Sequence, residues 1–152
     1  MKNILFIGLG NIGVRHFESI NKLRTKNKCY FVDPNINKSK KKIIKINKIN
    51  QLIFLKSINM NEKNFDLSVI STNSDVRKEI ILICLKKLKI KKYLIEKIPF
   101  NNVKDYNYIN QKFRKAGTAC YINYVRNYMP CYINLKKKIN QKKNIHIGVY
   151  GK

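Results

Sequence analysis

Acidic residues are scarce in this chain: 8 Asp and Glu stand against 33 Lys and Arg, a formal net charge of +25 at pH 7 over 152 residues. Such an imbalance ordinarily points to nucleic acid or an anionic membrane surface. Arginine is scarce as well, confined to positions 15, 24, 77, 114 and 126, and the lysines come with abundant Ile and Asn, the residues of A/T-rich codons. A biased genome therefore accounts for the charge. The lysines are also not interleaved with aromatics as a base-stacking surface requires. Salt-dependent, non-specific attraction to polyanions is expected, with no specific nucleic-acid partner. Histidine is limited to His16 and His146, and Cys29, Cys84, Cys120 and Cys131 have no CxxC spacing, so no metal site is expected. The four cysteines read as small core residues of a reducing compartment. No apolar run is long enough to span a bilayer, no internal repeat is present, and no membrane partner is expected. The apolar run at Met1–Ile7 is too short for a secretory leader and is broken by glycine, so the chain reads as cytoplasmic. What remains is a globular composition, 44% hydrophobic, with length enough for one well-cored domain.

The informative stretch is Lys2 to Asp33. An apolar run, Ile4 to Ile7, enters Gly8-Leu9-Gly10-Asn11-Ile12-Gly13, an amphipathic segment follows to about Arg24, and Tyr30 to Val32 leads to Asp33. That order is strand, glycine turn, helix, strand, acid. In the Rossmann mononucleotide unit the first glycine permits the tight turn. The second lets backbone approach a pyrophosphate, and the third lets the helix pack closely. A helix opening at Asn11 or Ile12 presents its free N–H groups and positive dipole end to the same pyrophosphate. Asp33 is spaced to accept hydrogen bonds from an adenosine ribose, which favours NAD, with NADP as the alternative; Lys38 and Lys40 weaken the preference.

Further along, Asn37–Ile49 reads as a helix with a solvated lysine face and Gln51–Leu55 as a strand. Asn61–Phe65 reads as a short connection of about one helical turn. Asp66–Ser71 is a β-rich run of the kind buried in a parallel sheet, ending in the polar turn Thr72-Asn73-Ser74-Asp75. Val76, Ile80, Cys84 and Leu88 predict the buried stripe of the next helix. Tyr93–Ile95 is a strand that delivers Glu96 and Lys97. Val103, Tyr106, Ile109 and Phe113 mark a helix over 102–115 closed by Gly117, and Thr118–Ile122 is another strand. Pro130 opens a helix with the stripe Tyr128, Tyr132, Leu135 and Ile139. Asn144–Tyr150 alternates as a half-buried strand without a partner.

Three polar groups thus converge on the carboxyl ends of the strands, where doubly wound sheets bind ligands: Gly8–Gly13, Ser71-Thr72-Asn73-Ser74 and Glu96-Lys97. Through GLGNIG, VDP, ISTNSDVRKE, LIEKIPF and NYVRNYMP the chain resembles the glucose-fructose oxidoreductase, inositol dehydrogenase and rhizopine-catabolism oxidoreductases. The resemblance implies an NAD(P)-binding Rossmann half and a second α/β domain holding the substrate. It also implies hydride transfer to or from a sugar, cyclitol or sugar-nucleotide hydroxyl, and oligomer contacts through the second domain. It maps the family's threonine turn to Ser71, Thr72 and Asn73, and its Glu-Lys-Pro motif to Glu96 and Lys97. The lysine is then the catalytic group near the nicotinamide, and Arg126 matches an arginine at the domain junction. The chain departs from the family in Glu96-Lys97-Ile98-Pro99, one residue longer, in Asn73 and Arg77, where proline and histidine are usual, and in stopping at Lys152. His146 does not replace the acid and histidine of the family's second domain.

The sequence therefore predicts an α/β chain with a doubly wound, mostly parallel Rossmann sheet, helices on both faces, over 1–122. Residues 123–152 are expected to supply the first helix and strand of an incomplete second α/β domain. The functional expectation is the cofactor half of an NAD(P)-dependent sugar-type oxidoreductase, inactive alone. Its site is Gly8, Gly10, Asn11, Ile12, Gly13, Asp33, Ser71, Thr72, Asn73, Glu96, Lys97 and Arg126. A non-catalytic nucleotide-binding or interaction module, and a nucleic-acid-binding α/β domain driven by charge, are the alternatives.

Overall fold

Ile4 and Phe6 belong to one hydrophobic cluster and Leu5 and Ile7 to another, and all four are buried. A strand whose alternate side chains are both apolar needs cover on both faces. The computed structural model, which describes residues 1–139, shows how that cover is supplied. In chain order the elements are β1 (Lys2–Ile7), α1 (Asn11–Lys22), β2 (Asn27–Val32), α2 (Ile36–Ile46), β3 (Gln51–Leu55), β4 (Asn64–Phe65), β5 (Leu67–Ile70) and α3 (Ser74–Lys87). There follow β6 (Lys89–Ile90), β7 (Lys92–Glu96), α4 (Val103–Lys115), β8 (Ala119–Asn123), a 3-10 turn (Val125–Tyr128) and α5 (Pro130–Ile139).

Six strands form a parallel sheet in the order β3-β2-β1-β5-β7-β8. The strand order reverses direction between β1 and β5. Below it, β4 and β6 make a two-stranded ribbon. On one face, Val14 and Phe17 of α1 and Ile36 and Ile43 of α2 cover Ile4, Phe6, Cys29, Phe31 and Val69. Phe17 meets Phe6 and Phe31 edge-on at centroid distances of 5.8 and 5.1 Å, while Phe6 and Phe31 stack at 5.1 Å. On the other face, Ile81 and Cys84 of α3 and Ile109 and Phe113 of α4 cover Leu5, Ile7, Ile70, Tyr93 and Ile95. The doubly wound α/β expectation is met.

Several local expectations are corrected. Asn61–Phe65 contains no helical turn; Asn64 and Phe65 pair with Lys89 and Ile90 instead, which lets Phe65 bury against Tyr30. The buried positions of α3 are Arg77, Ile81 and Cys84. Val76 is exposed and Ile80 only half-buried, so the stripe is turned by one residue from 76 and 80. Val103 is 73% exposed at the start of α4, and Tyr106 is half-buried. None of α5 is buried among the described residues, and Tyr128 lies in the 3-10 turn ahead of it. Cys29 and Cys84 are core residues, whereas Cys120 and Cys131 are exposed. Gly117 follows the end of α4 with φ +61, the left-handed conformation expected there. The predicted strand Asn144–Tyr150, with His146, lies outside the described residues.

Because α1 is held chiefly by the aromatic cluster, Phe17→Ala should cost about 3–5 kcal/mol. Urea unfolding should show a lowered midpoint with little change in slope. Val103→Ala should stay within about 0.5 kcal/mol.

Candidate functional site

The glycine turn is shaped by three different constraints. Gly8 has φ +85, and a Cβ there would lie 2.8 Å from the Thr72 nitrogen and 2.9 Å from the Ser71 carbonyl carbon. Conformation and space both demand glycine. A Cβ on Gly13 would lie 2.0 Å from the Gly8 carbonyl oxygen, so α1 starts against the turn that precedes it. Gly10 differs. Its φ of −62 suits any residue, and a Cβ there would meet nothing within 4 Å. Nothing among the described residues requires glycine at position 10; a ligand lying against that backbone would.

Hydrogen bonds hold the turn in place from both sides. Asp33, just past the end of β2, accepts from the Leu9 N–H through Oδ2 at 2.7 Å and from the Asn35 N–H through Oδ1 at 2.7 Å. Ser39 of α2 donates its hydroxyl to the Leu9 carbonyl at 2.6 Å. A carboxylate has about four acceptor positions, and two of Asp33's are left for hydroxyl donors. Gly10 is the N-cap of α1 and supplies no side chain; the first turn of α1 carries no acid either. The opening N–H groups at Asn11, Ile12 and Gly13 therefore have no acceptor within the helix and carry the positive end of its dipole, with no acid in that turn to offset it.

Beside this turn lies a cleft of about 600 Å³ lined by Gly8, Gly10, Asp33, Ser71, Thr72 and Asn73, while Asn11, Ile12 and Gly13 do not line it. Its far wall was not foreseen: Val76, Ile80 and Ile83 of α3 face Ile58 and Asn59 after β3. The exposed Val76 that breaks the expected core stripe is a wall of this cleft. Ser71 Oγ and Thr72 Oγ1 are buried and have no hydrogen-bond partner among the described residues, an uncommon condition that a ligand can relieve. Asn73 is the N-cap of α3, and its side chain makes no capping bond. A second cavity of about 680 Å³, bordered by Asn3, Asp66, Lys91 and Thr118, lies at the opposite edge of the sheet.

The remaining predicted residues fall outside the cleft. Glu96 ends β7 and is buried; its Oε1 accepts from His16 Nε2 at 2.6 Å and from Asn123 Nδ2. Lys97 follows it, exposed, and the Lys97–Ile98 peptide is cis. Arg126 is exposed in the 3-10 turn. Sequence reasoning missed His16 and Asn123. It noted Arg77 only as a departure from the family, yet this residue is 3% exposed. Its Nη1 donates to the carbonyls of Glu96 at 2.6 Å, Ile98 at 2.7 Å and Pro99 at 3.3 Å, and its Nη2 to that of Thr72. Burial pulls the Arg77 pKa down, and the charge of Glu96 opposes that shift. One buried cation thus ties the turn after β5 to the turn after β7. No group of three His, Cys, Asp or Glu gathers as metal ligands among the described residues, and no described helix is long and apolar enough to cross a membrane.

No family model and no curated protein matches the chain. Solved structures do. A probable dehydrogenase from Thermotoga maritima superposes with a TM-score of 0.72 at 19% identity, over 91% of this chain and 41% of that one. The WlbA dehydrogenase from Thermus thermophilus, solved with NAD and alpha-ketoglutarate, gives 0.75 at 17% identity over 95% and 48%. The UDP-N-acetylglucosamine 3-dehydrogenase GnnA from Acidithiobacillus ferrooxidans gives 0.70 at 12% over 90% and 43%. The chain therefore has the fold of part of these dehydrogenases and spans less than half of their length.

Removing the Arg77 charge strands four carbonyls at once. Arg77→Met should destabilise the chain by about 2–4 kcal/mol, read by thermal or urea unfolding. Arg77→Lys should recover only part of this, because an ammonium lacks the planar fork.

Proposed function

We propose that the chain is the dinucleotide-binding half of an NAD(H)-dependent oxidoreductase acting on a sugar, cyclitol or sugar-nucleotide hydroxyl. The observation that carries the reading is Gly10. It is a glycine with an ordinary φ and empty space where its Cβ would be, set at the mouth of a helix whose first turn has no acid. A pyrophosphate against this backbone would accept from the Asn11, Ile12 and Gly13 N–H groups. The two unused acceptor positions of Asp33 suit the paired hydroxyls of an adenosine ribose and disfavour a 2′-phosphate. NAD is therefore the cofactor proposed, with NADP bound more weakly. The apolar slot between Ile58 and the Val76–Ile83 face of α3 suits a flat base.

Bound in this way, a nicotinamide supplies the hydride acceptor or donor. The chain's own residues bind and orient. Thr72 and Asn73 line the path between the two ends of the dinucleotide, and Lys97 is proposed to hydrogen-bond the substrate oxygen and steady its changing charge. Arg126 is proposed as a residue of the substrate side. The dehydrogenases of like fold include proteins whose names specify NAD and a UDP-N-acetylglucosamine dehydrogenase activity, which supports the reaction class. The same reading divides the chain into a Rossmann domain over 1–122 and the opening of a substrate domain over 123–152. It includes oligomer contacts through that second domain, no specific nucleic-acid or membrane partner, and a cytoplasmic location.

Titration of the chain with NADH, followed by nicotinamide fluorescence, tests the assignment. Wild type should bind, NADPH should bind more weakly, and Gly10→Val should lose at least about tenfold in affinity by occupying the pyrophosphate's place. Asp33→Ala should lose a comparable factor through its ribose hydrogen bonds. No binding by wild type, or equal binding by wild type and Gly10→Val, would contradict the assignment.

A further inference from the structure

The cleft beside Asp33 accommodates one half of a dinucleotide, and the strand order indicates where the other half must lie. Asp33 follows β2 on one side of β1, whereas Glu96 ends β7 on the other side, beyond β5. Three strand spacings, roughly 14 Å, separate the ends of β2 and β7, with the glycine turn and Ser71-Thr72 in between. A ligand running along the strand ends from Asp33 over Gly10 and Thr72 arrives at Glu96.

Glu96 is built unlike a residue kept for packing. A carboxylate is costly to bury, yet this one is 9% exposed and is held at three points. His16, reaching from the second turn of α1, and Asn123, at the end of β8, both meet Oε1. Arg77 holds the Glu96 carbonyl. An ionised carboxylate only accepts, so His16 Nε2 carries the proton in this contact. Oε2 takes no hydrogen bond among the described residues, and the Glu96 side chain is 11% exposed. The result is one saturated oxygen and one free oxygen in a fixed orientation, at the strand ends where doubly wound sheets place ligands.

We propose that His16 and Asn123 are positioning residues that hold Glu96 Oε1 so that Oε2 accepts from donors on the nicotinamide half of the dinucleotide, its ribose hydroxyls or carboxamide N–H. This rests on the dinucleotide reading given above. His16 is drawn from the helix that presents its first turn to the pyrophosphate. The residues that bind phosphate and the residue that orients Glu96 therefore move as one rigid element.

The test compares NADH with ADP, which keeps the adenosine and the pyrophosphate and lacks both the second ribose and the nicotinamide, on the chain as it is, using calorimetry for both ligands. Wild type should bind NADH more tightly than ADP. His16→Ala should lower NADH affinity about tenfold and leave ADP affinity unchanged, with His16→Gln, which keeps a side-chain N–H donor, restoring part of the loss. Asn123→Ala, made from the opposite side of the carboxylate, should show the same selective loss and stands in if His16→Ala does not fold. A role confined to stability would move both ligands together. Equal effects on NADH and ADP, or none on either, in the folded variants would overturn the proposal. A wild type that binds both ligands equally would overturn it too, while leaving the cleft's adenosine assignment intact. A wild type that binds neither would overturn the dinucleotide reading as well.

Discussion

The first turn of α1 lies so close to the Gly8 carbonyl that position 13 has no room for even one methyl group. That contact decides where the helix begins and how its axis aims across the ends of the strands. Most of the site depends on it. With α1 seated there, Phe17 drops onto Phe6 and Phe31, the first-turn N–H groups open toward Gly10, and His16 comes within reach of Glu96. Packing and binding geometry share one helix, so a shift of α1 would disturb both.

The rest of the site is a set of ties between loops that share no secondary structure. Asp33 and Ser39 grip Leu9 from the ends of β2 and α2, and Gly8 rests against Ser71 and Thr72. Arg77 joins Thr72 to Glu96, Ile98 and Pro99. Each loop follows a different parallel strand, and parallel strands bring their carboxyl ends to one edge by construction. The sheet supplies proximity and the ties supply register. Such an arrangement holds backbone groups and side chains from separate loops in fixed positions without reorganising.

Much of this was legible in the residues because the demands are local. A left-handed turn at Gly8, a steric limit at Gly13 and an acid after the second strand each leave a mark at a fixed spacing, and buried parallel strands read as apolar runs. The phase of α3 was not legible. Arg77 looks like a surface residue, and only the four carbonyls that converge on it make it a core residue; Val76 looks like a core residue and is a cleft wall. His16 and Glu96 are 80 positions apart, and no periodicity links them. The two-residue strands β4 and β6 are too short to show alternation. The stripe of α5 is real as a pattern, but Tyr132 and Leu135 stay exposed and none of α5 is buried among the described residues, so its apolar spacing did not translate into burial.

The central claim is that the helix mouth at Gly10 is a phosphate-binding surface of a dinucleotide site. Amide chemical-shift mapping of the isotopically labelled chain during titration with ADP-ribose addresses it residue by residue. The account predicts the largest shifts at Gly8 to Gly13, Asp33 and Thr72, with the opposite edge of the sheet unaffected. Shifts centred instead on Asn3, Asp66, Lys91 and Thr118, around the cavity at that opposite edge, would contradict it.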